Sequence, residues 1–131
     1  QRQMCIRDSS THDMTPLRNW WKEDTEKTQR YYNHVLQRIG EAPDECTAEI
    51  VAQIISNHLK TRSMLTIIPL QDWFAMDDSI KRKDIESERI NVPANSTHYW
   101  RYRMHITLEQ LLQADNLNNK IVSLIKEAGR K

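Results

Sequence analysis

The residues of this sequence that could do chemistry lie at two places. Near the start, His12 and Asp13 put an imidazole beside a carboxylate, and farther along Asn91 stands just before Pro93 in a turn. Judged from the residues alone, His12 and Asp13 are best explained by helix capping. Asp13 or Thr15 can accept hydrogen bonds at a helix start, and Pro16 suits the first helical turn.

The groups that commonly bind metals lack the spacing of a metal site. His98 and His105 have no histidine, cysteine or carboxylate partners at ligand spacing. Cys5 and Cys46 form no CxxC pair and could make one disulfide at most. The sequence therefore predicts no metal site.

Phosphate chemistry through glycine loops is also excluded. Gly40 and Gly129 are the two glycines of the sequence, and a dinucleotide or P-loop motif needs several glycines close together. We therefore expect no cofactor of that kind, and we predict no cofactor of any other kind.

The composition limits the kinds of partner and the cellular compartment that we expect. The 131 residues carry 19 basic and 18 acidic side chains, a net charge of +1, which gives no field to attract nucleic acid or a membrane surface. The most apolar run, residues 64–70, is far shorter than the roughly 20 residues that span a bilayer. With two cysteines and no signal-peptide pattern, a reducing cytoplasmic setting is expected. The length predicts one domain.

Helices are predicted after His12 and Asp13. One helix, or two short ones, begins near Pro16. Apolar residues spaced from Tyr32 to Ile39 carry the helix to Gly40, where we expect it to end.

Capping residues mark three further helices. Thr47 is a suitable N-cap for a helix with one apolar stripe, and Thr107 with Gln110 has capping-box spacing. A last helix runs from about Asp115 to Gly129.

The segments between the helices differ in character. Met64–Leu70 is a short apolar run, typical of a strand covered on both faces of a parallel sheet. Asp77–Arg89 mixes charges of both signs and is interpreted as a solvated surface loop. Tyr99–Ile106 alternates apolar and basic residues, which predicts extended chain.

A single buried strand cannot form a sheet, because its backbone groups would have no partners. Residues 1–8 have few apolar side chains, so we do not expect them to supply the partner strand. We therefore expect the rest of the sheet outside this chain, which we interpret as the C-terminal piece of a larger α/β protein.

Several blocks, in this order, carry a family resemblance: Ser10–Trp21, Ile68–Asp72, Ile90–Pro93, His98–Arg103 and His105–Glu109. Together they resemble the 4-alpha-glucanotransferases of glycoside hydrolase family 77, the amylomaltase or disproportionating enzymes. The last two blocks are most similar to the plant cytosolic type. None of the blocks would identify the family by itself.

The resemblance implies an α/β fold, namely the C-terminal portion of a (β/α)8 barrel from the end of strand seven through the last helices, mostly helical as a fragment. Residues 9–131 would form this portion and residues 1–8 a non-native or disordered leader. In such barrels the active site lies at the C-terminal ends of the strands.

The implied activity is a retaining transfer of α-1,4-glucan segments between maltooligosaccharides, with maltose and α-1,4-glucans as substrates. Two carboxyl groups form and resolve a glucosyl-enzyme, and the resemblance puts both upstream of this chain. It matches Asp13 to the carboxylate that stabilises the transition state, and His12 and Asn91 to substrate-binding residues. Ala94 departs from the family, which often has glycine there, and this weakens the assignment of Asn91.

A different class of function is a binding module without catalysis. Tyr99–Arg103 joins aromatic and basic side chains, as in surfaces that stack nucleic-acid bases, and such a helical module could also bind protein. The balanced net charge argues against nucleic acid. We expect no membrane partner, and the sequence gives no oligomeric state.

Overall fold

The computed structural model describes residues 6–11 and 13–130 of the chain. Helices make up most of its regular structure, as predicted. In chain order the elements are β1 (Ile6–Asp8), α1 (Leu17–Glu23), α2 (Thr25–His34), α3 (Ala48–Leu59), β2 (Leu65–Ile67), α4 (Leu70–Phe74), a 3₁₀ turn (Glu86–Glu88), α5 (Leu108–Leu112) and α6 (Asp115–Glu127).

The two strands form a parallel pair, with Ile6 opposite Leu65 and Asp8 opposite Ile67. The expectation that residues 1–8 supply no partner strand is therefore wrong for Ile6–Asp8. Strand pairing uses backbone groups, so three residues suffice whatever their apolar content. The boundary that we expect at residue 8 stays a prediction.

The strand predicted within Met64–Leu70 is present but short, because Pro69 follows β2 and stands at the start of α4. The described residues leave about half of each apolar side chain exposed: Leu65 and Ile67 are 48% and 56% exposed, and Ile6 on β1 is 56% exposed. The apolar faces of this strand pair are thus open.

Helix α3 forms the centre of the core. Thr47 is its N-cap, and the Thr47 hydroxyl accepts a hydrogen bond from the Ile50 amide, as predicted. The core residues that are fully enclosed come from α1, α3, α6 and the end of α4: Trp21, Ile50, Val51, Ile54, Ile55, Phe74, Met76 and Leu117. Helix α1 packs against α2, and α3 packs against α6.

The first helical region divides and ends earlier than predicted. Asp24 interrupts it and caps α2, and α2 ends at His34, six residues before Gly40. Gln37 then takes a left-handed conformation with φ of 55°. This turn keeps Leu36 buried and leaves Ile39 98% exposed, so the apolar spacing up to Ile39 does not belong to a helix.

The C-terminal helices begin where the sequence predicts them. Thr107 and Gln110 form the predicted capping box of α5, and the helix predicted from Asp115 is α6. Arg130 donates hydrogen bonds to the backbone carbonyls of Leu59, Thr61 and Ser63. It therefore provides partners for carbonyl groups at the end of α3 and in the chain that follows it.

The remaining segments carry little regular structure. Residues 99–104 form no strand in the described part of the chain, although they stay outside helices as expected. Within residues 6–11 and 13–130, no helix has the length and apolar character needed to cross a membrane.

Candidate functional site

Two of the predicted site residues meet in the structure. The side-chain amide of Asn91 donates a hydrogen bond of 2.7 Å to Oδ1 of Asp13, across 78 positions of sequence. Asp13 is exposed and Asn91 is half-buried. His12, the third predicted site residue, lies outside the described residues. The structure thus gives a polar contact at the surface between two of the motif blocks.

Asp13 reaches this position through a turn after β1. The Met14 amide donates to the Thr11 carbonyl at 3.0 Å, which closes the turn around Asp13. Because β1 is parallel to β2, Asp13 follows the carboxyl end of the strand pair. A residue at this end of a parallel sheet is well placed to contact a ligand.

Helix capping by Asp13 or Thr15 is not observed. Pro16 is the N-cap of α1, without a hydrogen bond from its own side chain. The Thr15 hydroxyl donates instead to Glu23 at 2.6 Å. The first turn of α1 is capped from a distant element, since the Leu17 amide donates to Oδ1 of Asp72 at 3.0 Å.

Asp72 is a residue whose role we did not predict. It is 1% exposed, and its second oxygen accepts a 2.7 Å hydrogen bond from the Ser9 hydroxyl. Burial raises the pKa of Asp72, and the hydrogen bonds from Ser9 and Leu17 lower it. The carboxylate ties α4 to the end of β1 and to the start of α1, which together set where the Asp13 turn begins.

Asn91 is positioned by contacts of its backbone neighbours. The Ile90 carbonyl lies 3.1 Å from Nε2 of His98, and the Asn95 amide donates to the Val92 carbonyl at 2.8 Å. Gln71 donates to the Glu88 carbonyl at 3.3 Å. His98 therefore contacts the backbone immediately before Asn91.

The interpretation of Asp77–Arg89 as a solvated loop is wrong for Glu88. This carboxylate is 2% exposed and pairs with Arg18, at 3.2 Å between Nη1 and Oε1. Arg18, 6% exposed, also donates to the Arg82 carbonyl at 2.7 Å. Burial raises the pKa of Glu88 to about 7, although the Arg18 charge lowers it.

The surface beside Asp13 is concave. A small cavity of about 70 Å³ and an open groove of about 320 Å³ share Met14 as a lining residue. The small cavity also contacts Thr11 and Ile90, which flank the two site residues. The groove is mostly apolar and reaches Trp20 and His58.

Other reactive groups have structural partners. Burial lowers the pKa of His58, which accepts from Arg7 at 3.3 Å. Burial raises the pKa of the Cys46 thiol to about 12, so Cys46 is a poor nucleophile at neutral pH. Arg101 lies 4.7 Å from the ring centre of Tyr99. Among the described residues, no group of three histidine, cysteine or acidic side chains could hold a metal ion.

The comparisons with known proteins agree on one family. The family model described as 4-alpha-glucanotransferase, glycoside hydrolase family 77, matches residues 1–109. The 4-alpha-glucanotransferase DPE2 of Oryza sativa subsp. japonica is 38% identical over 127 residues, which is 97% of this chain and 13% of that protein. A 4-alpha-glucanotransferase of Chlamydia trachomatis is 28% identical over 124 residues, which is 92% of this chain and 23% of that protein.

A solved structure shows the fold. The amylomaltase from Streptococcus agalactiae in complex with acarbose matches with a TM-score of 0.68 and 20% identity, over 95% of this chain and 22% of that chain. The chain thus spans less than a quarter of the length of each of these relatives. The resemblance read from the sequence blocks is confirmed, and the rice protein agrees with the plant type.

Proposed function

The chain belongs to the 4-alpha-glucanotransferase family, glycoside hydrolase family 77, and from this premise we propose that it is part of an enzyme that transfers α-1,4-glucan segments or glucosyl units. The donors and acceptors would be maltose, maltooligosaccharides and larger glucans. The reaction is a retaining double displacement, in which a sugar hydroxyl takes the place of water. Relatives with this name cover nearly the whole chain, which favours this function over the nucleic-acid or protein-binding module.

One observation carries the proposal. The Asn91 amide binds the Asp13 carboxylate at 2.7 Å, beyond the carboxyl end of a parallel strand pair. These residues come from separate motif blocks, and a parallel α/β fold binds substrate at this end of its strands. A chance resemblance of sequence would not require the two blocks to meet there.

Asp13 is proposed as the residue that stabilises the transition state. Its exposed carboxylate can accept hydrogen bonds from the hydroxyls of the sugar that reacts, and those bonds strengthen as the ring approaches an oxocarbenium-like geometry. The Asn91 amide orients the Asp13 carboxylate and borders the glucan site. His12 binds the same sugar.

The two carboxyl groups that break and form glycosidic bonds would come from outside these 131 residues. In a retaining enzyme they lie about 5–5.5 Å apart, one as nucleophile and one as general acid and then base. Asp13 would face the same sugar from a third direction. The isolated chain is therefore expected to release no glucose from maltotriose.

We propose that the chain forms the C-terminal portion of a (β/α)8 barrel, from the end of strand seven through the last helices, with β2 as strand eight. The parallel pairing and the helices between the strands support this arrangement. The exposed apolar side chains of Ile6, Leu65 and Ile67 would be covered by the rest of the barrel. We further propose a cytoplasmic enzyme without nucleic-acid or membrane partners.

Transfer by the full-length protein tests this function. With maltotriose as donor and acceptor, the wild-type protein should form glucose and longer maltooligosaccharides. Asp13→Asn should lower the transfer rate on the order of 10²-fold, because a preorganised contact to the transition state is lost. His12→Ala should lower it less, since a neutral sugar contact carries less developing charge.

Asp44→Asn is the matched control, because Asp44 is an exposed aspartate in the connection between α2 and α3. Its rate should equal that of the wild type. Near-normal transfer by Asp13→Asn would remove Asp13 from the site, and no transfer by the wild-type protein would refute the function.

A further inference from the structure

A buried polar cluster that the proposed chemistry does not use lies between α1 and the segment 82–91. We call Arg18 and Glu88 the clamp. Arg18 projects from α1 and makes two contacts with the segment, one to the Glu88 carboxylate and one to the Arg82 carbonyl. Both clamp side chains are almost fully buried, although charged residues rarely are unless they are paired.

Further contacts hold the same segment in place. The Asn19 amide donates to Glu86 at 2.9 Å, and the Arg82 guanidinium donates to the Ser87 carbonyl at 3.0 Å. Gln71 on α4 donates to the Glu88 carbonyl. The segment is therefore attached to both α1 and α4 immediately before the chain reaches Asn91.

The clamp is three residues from Asn91 along the chain, and no helix or strand separates them. The contact of Asn91 with Asp13 spans 78 positions, so local sequence does not enforce it. The backbone path from Glu88 to Asn91 is what brings the amide to the carboxylate.

We propose that Arg18 and Glu88 are positioning residues, which hold the segment 82–91 on α1 and thereby hold the Asn91 side chain on Asp13. This inference rests on the proposed function, in which Asp13 and Asn91 contact the sugar. Neither clamp residue touches substrate.

The burial of Glu88 makes the clamp sensitive to pH. The titratable groups that act on Glu88 from the elements around it are Arg18 of α1, Asp72 of α4, Arg82 within the segment and Tyr102 of the following chain. Burial outweighs the basic groups and raises the pKa of Glu88 to about 7 from the usual 4.5. One carboxylate oxygen, Oε2, is buried without a hydrogen-bond partner among the described residues.

The sign of the effect follows from linkage. Because the pKa of Glu88 is raised from 4.5 to about 7 in the closed segment, its contribution to the closed state is fully present below pH 4.5 and is lost as the pH rises from 4.5 through 7. Between pH 6 and pH 8 the equilibrium for opening the segment should shift about tenfold toward the open state. The Asn91 amide should therefore leave Asp13 more often at pH 8 than at pH 6.

Hydrogen exchange of the full-length protein tests the clamp without any turnover. Backbone exchange in residues 82–91, corrected for the intrinsic effect of pH, should be about tenfold faster at pH 8 than at pH 6 in the wild type. Glu88→Gln keeps the shape of the protonated side chain, so this difference should disappear. Arg18→Met should speed exchange at both pH values.

Glu45→Gln is the matched control. Glu45 is an exposed carboxylate that pairs with Lys22 on the same helix α1, at 3.0 Å. This variant should keep the wild-type exchange difference. If Arg18→Met does not fold, Glu88→Ala replaces it, because this variant removes the carboxylate that Arg18 contacts. Exchange in residues 82–91 as slow in Glu88→Ala as in the wild type at pH 6 overturns the clamp.

The kinetic measurement separates positioning from mere stability. In the wild type, kcat/KM for maltotriose should fall more steeply between pH 5 and pH 7 than in Glu88→Gln, and the two profiles should run parallel above about pH 8. A kcat/KM for maltotriose at pH 6 that is the same in Glu88→Ala and in the wild type would overturn the positioning role even if exchange differs. If the wild-type protein transfers no glucan, the proposed function fails, and the exchange data still decide whether the clamp exists.

Discussion

The carboxylates of Asp13 and Asp72 lie at the same end of the strand pair and have opposite surroundings. Asp72 is 1% exposed and accepts from Ser9 and Leu17, whereas Asp13 is exposed and accepts from Asn91. The Asp72 carboxylate joins α4 to the end of β1 and to the start of α1, and these three elements form the frame of this region. The exposed group stands on that frame. Under the proposed function the buried carboxylate stabilises the fold, whereas Asp13 contacts the sugar.

The largest effect is expected when the buried carboxylate of Asp72 is removed. Asp72→Ala should cost about 3 kcal/mol of unfolding free energy, because the Ser9 hydroxyl and the Leu17 amide lose their partner in a buried site. Urea unfolding of the full-length protein, followed by tryptophan fluorescence, measures the loss. Asp13→Asn should leave the same transition within about 0.5 kcal/mol of the wild type. A similar loss in both variants would contradict this difference between the two carboxylates.

A smaller effect is expected at the partner of Asp13. Asn91→Ala should lower the maltotriose transfer rate about tenfold, which corresponds to about 1.4 kcal/mol, typical of one hydrogen bond to a charged group. The unfolding transition should move little, because the contact is near the surface. Ser96→Ala in the same loop is the control, because Ser96 is exposed, and it should keep the wild-type rate. A rate unchanged by Asn91→Ala would show that Asn91 does not orient Asp13.

The smallest effect is expected when an exposed carboxylate outside the candidate site is neutralised. Glu45 is an exposed carboxylate, with 64% of its side chain exposed, and it pairs with Lys22. Glu45→Gln should change the unfolding free energy by less than about 0.5 kcal/mol and leave the transfer rate unchanged. A lower rate would mean that exposed carboxylates far from the strand ends also affect the reaction. The same maltotriose assay and urea titration report both values.

Local signals predicted the helices well. The caps at Thr47 and Thr107 depend on neighbouring residues, and both helices begin where these residues indicate. The end of α2 was not predictable from apolar spacing, because the left-handed turn at Gln37 needs no glycine and leaves Ile39 in solvent. The pairing of β1 was missed because backbone hydrogen bonds leave little trace in a short polar strand.

The site was predictable to the extent that it lies in motif blocks. Asp13 and Asn91 were named from the resemblance, and the structure brings them into contact. Glu88 could not be found in the same way, because nine charged residues of a thirteen-residue segment look alike in sequence. Only the fold decides which of those carboxylates faces Arg18. The capping role of Asp72 was hidden for the same reason, since Leu17 is 55 positions away.

The contact of Asn91 with Asp13 also has a consequence for the order in which the molecule folds. Closing a loop of 78 positions is entropically costly, so contacts of this kind form late, after the local helices. A saccharide that bridges Asp13 and Asn91 would stabilise an interaction that is absent from the folding transition state. Such a ligand would slow unfolding and leave the folding rate nearly unchanged.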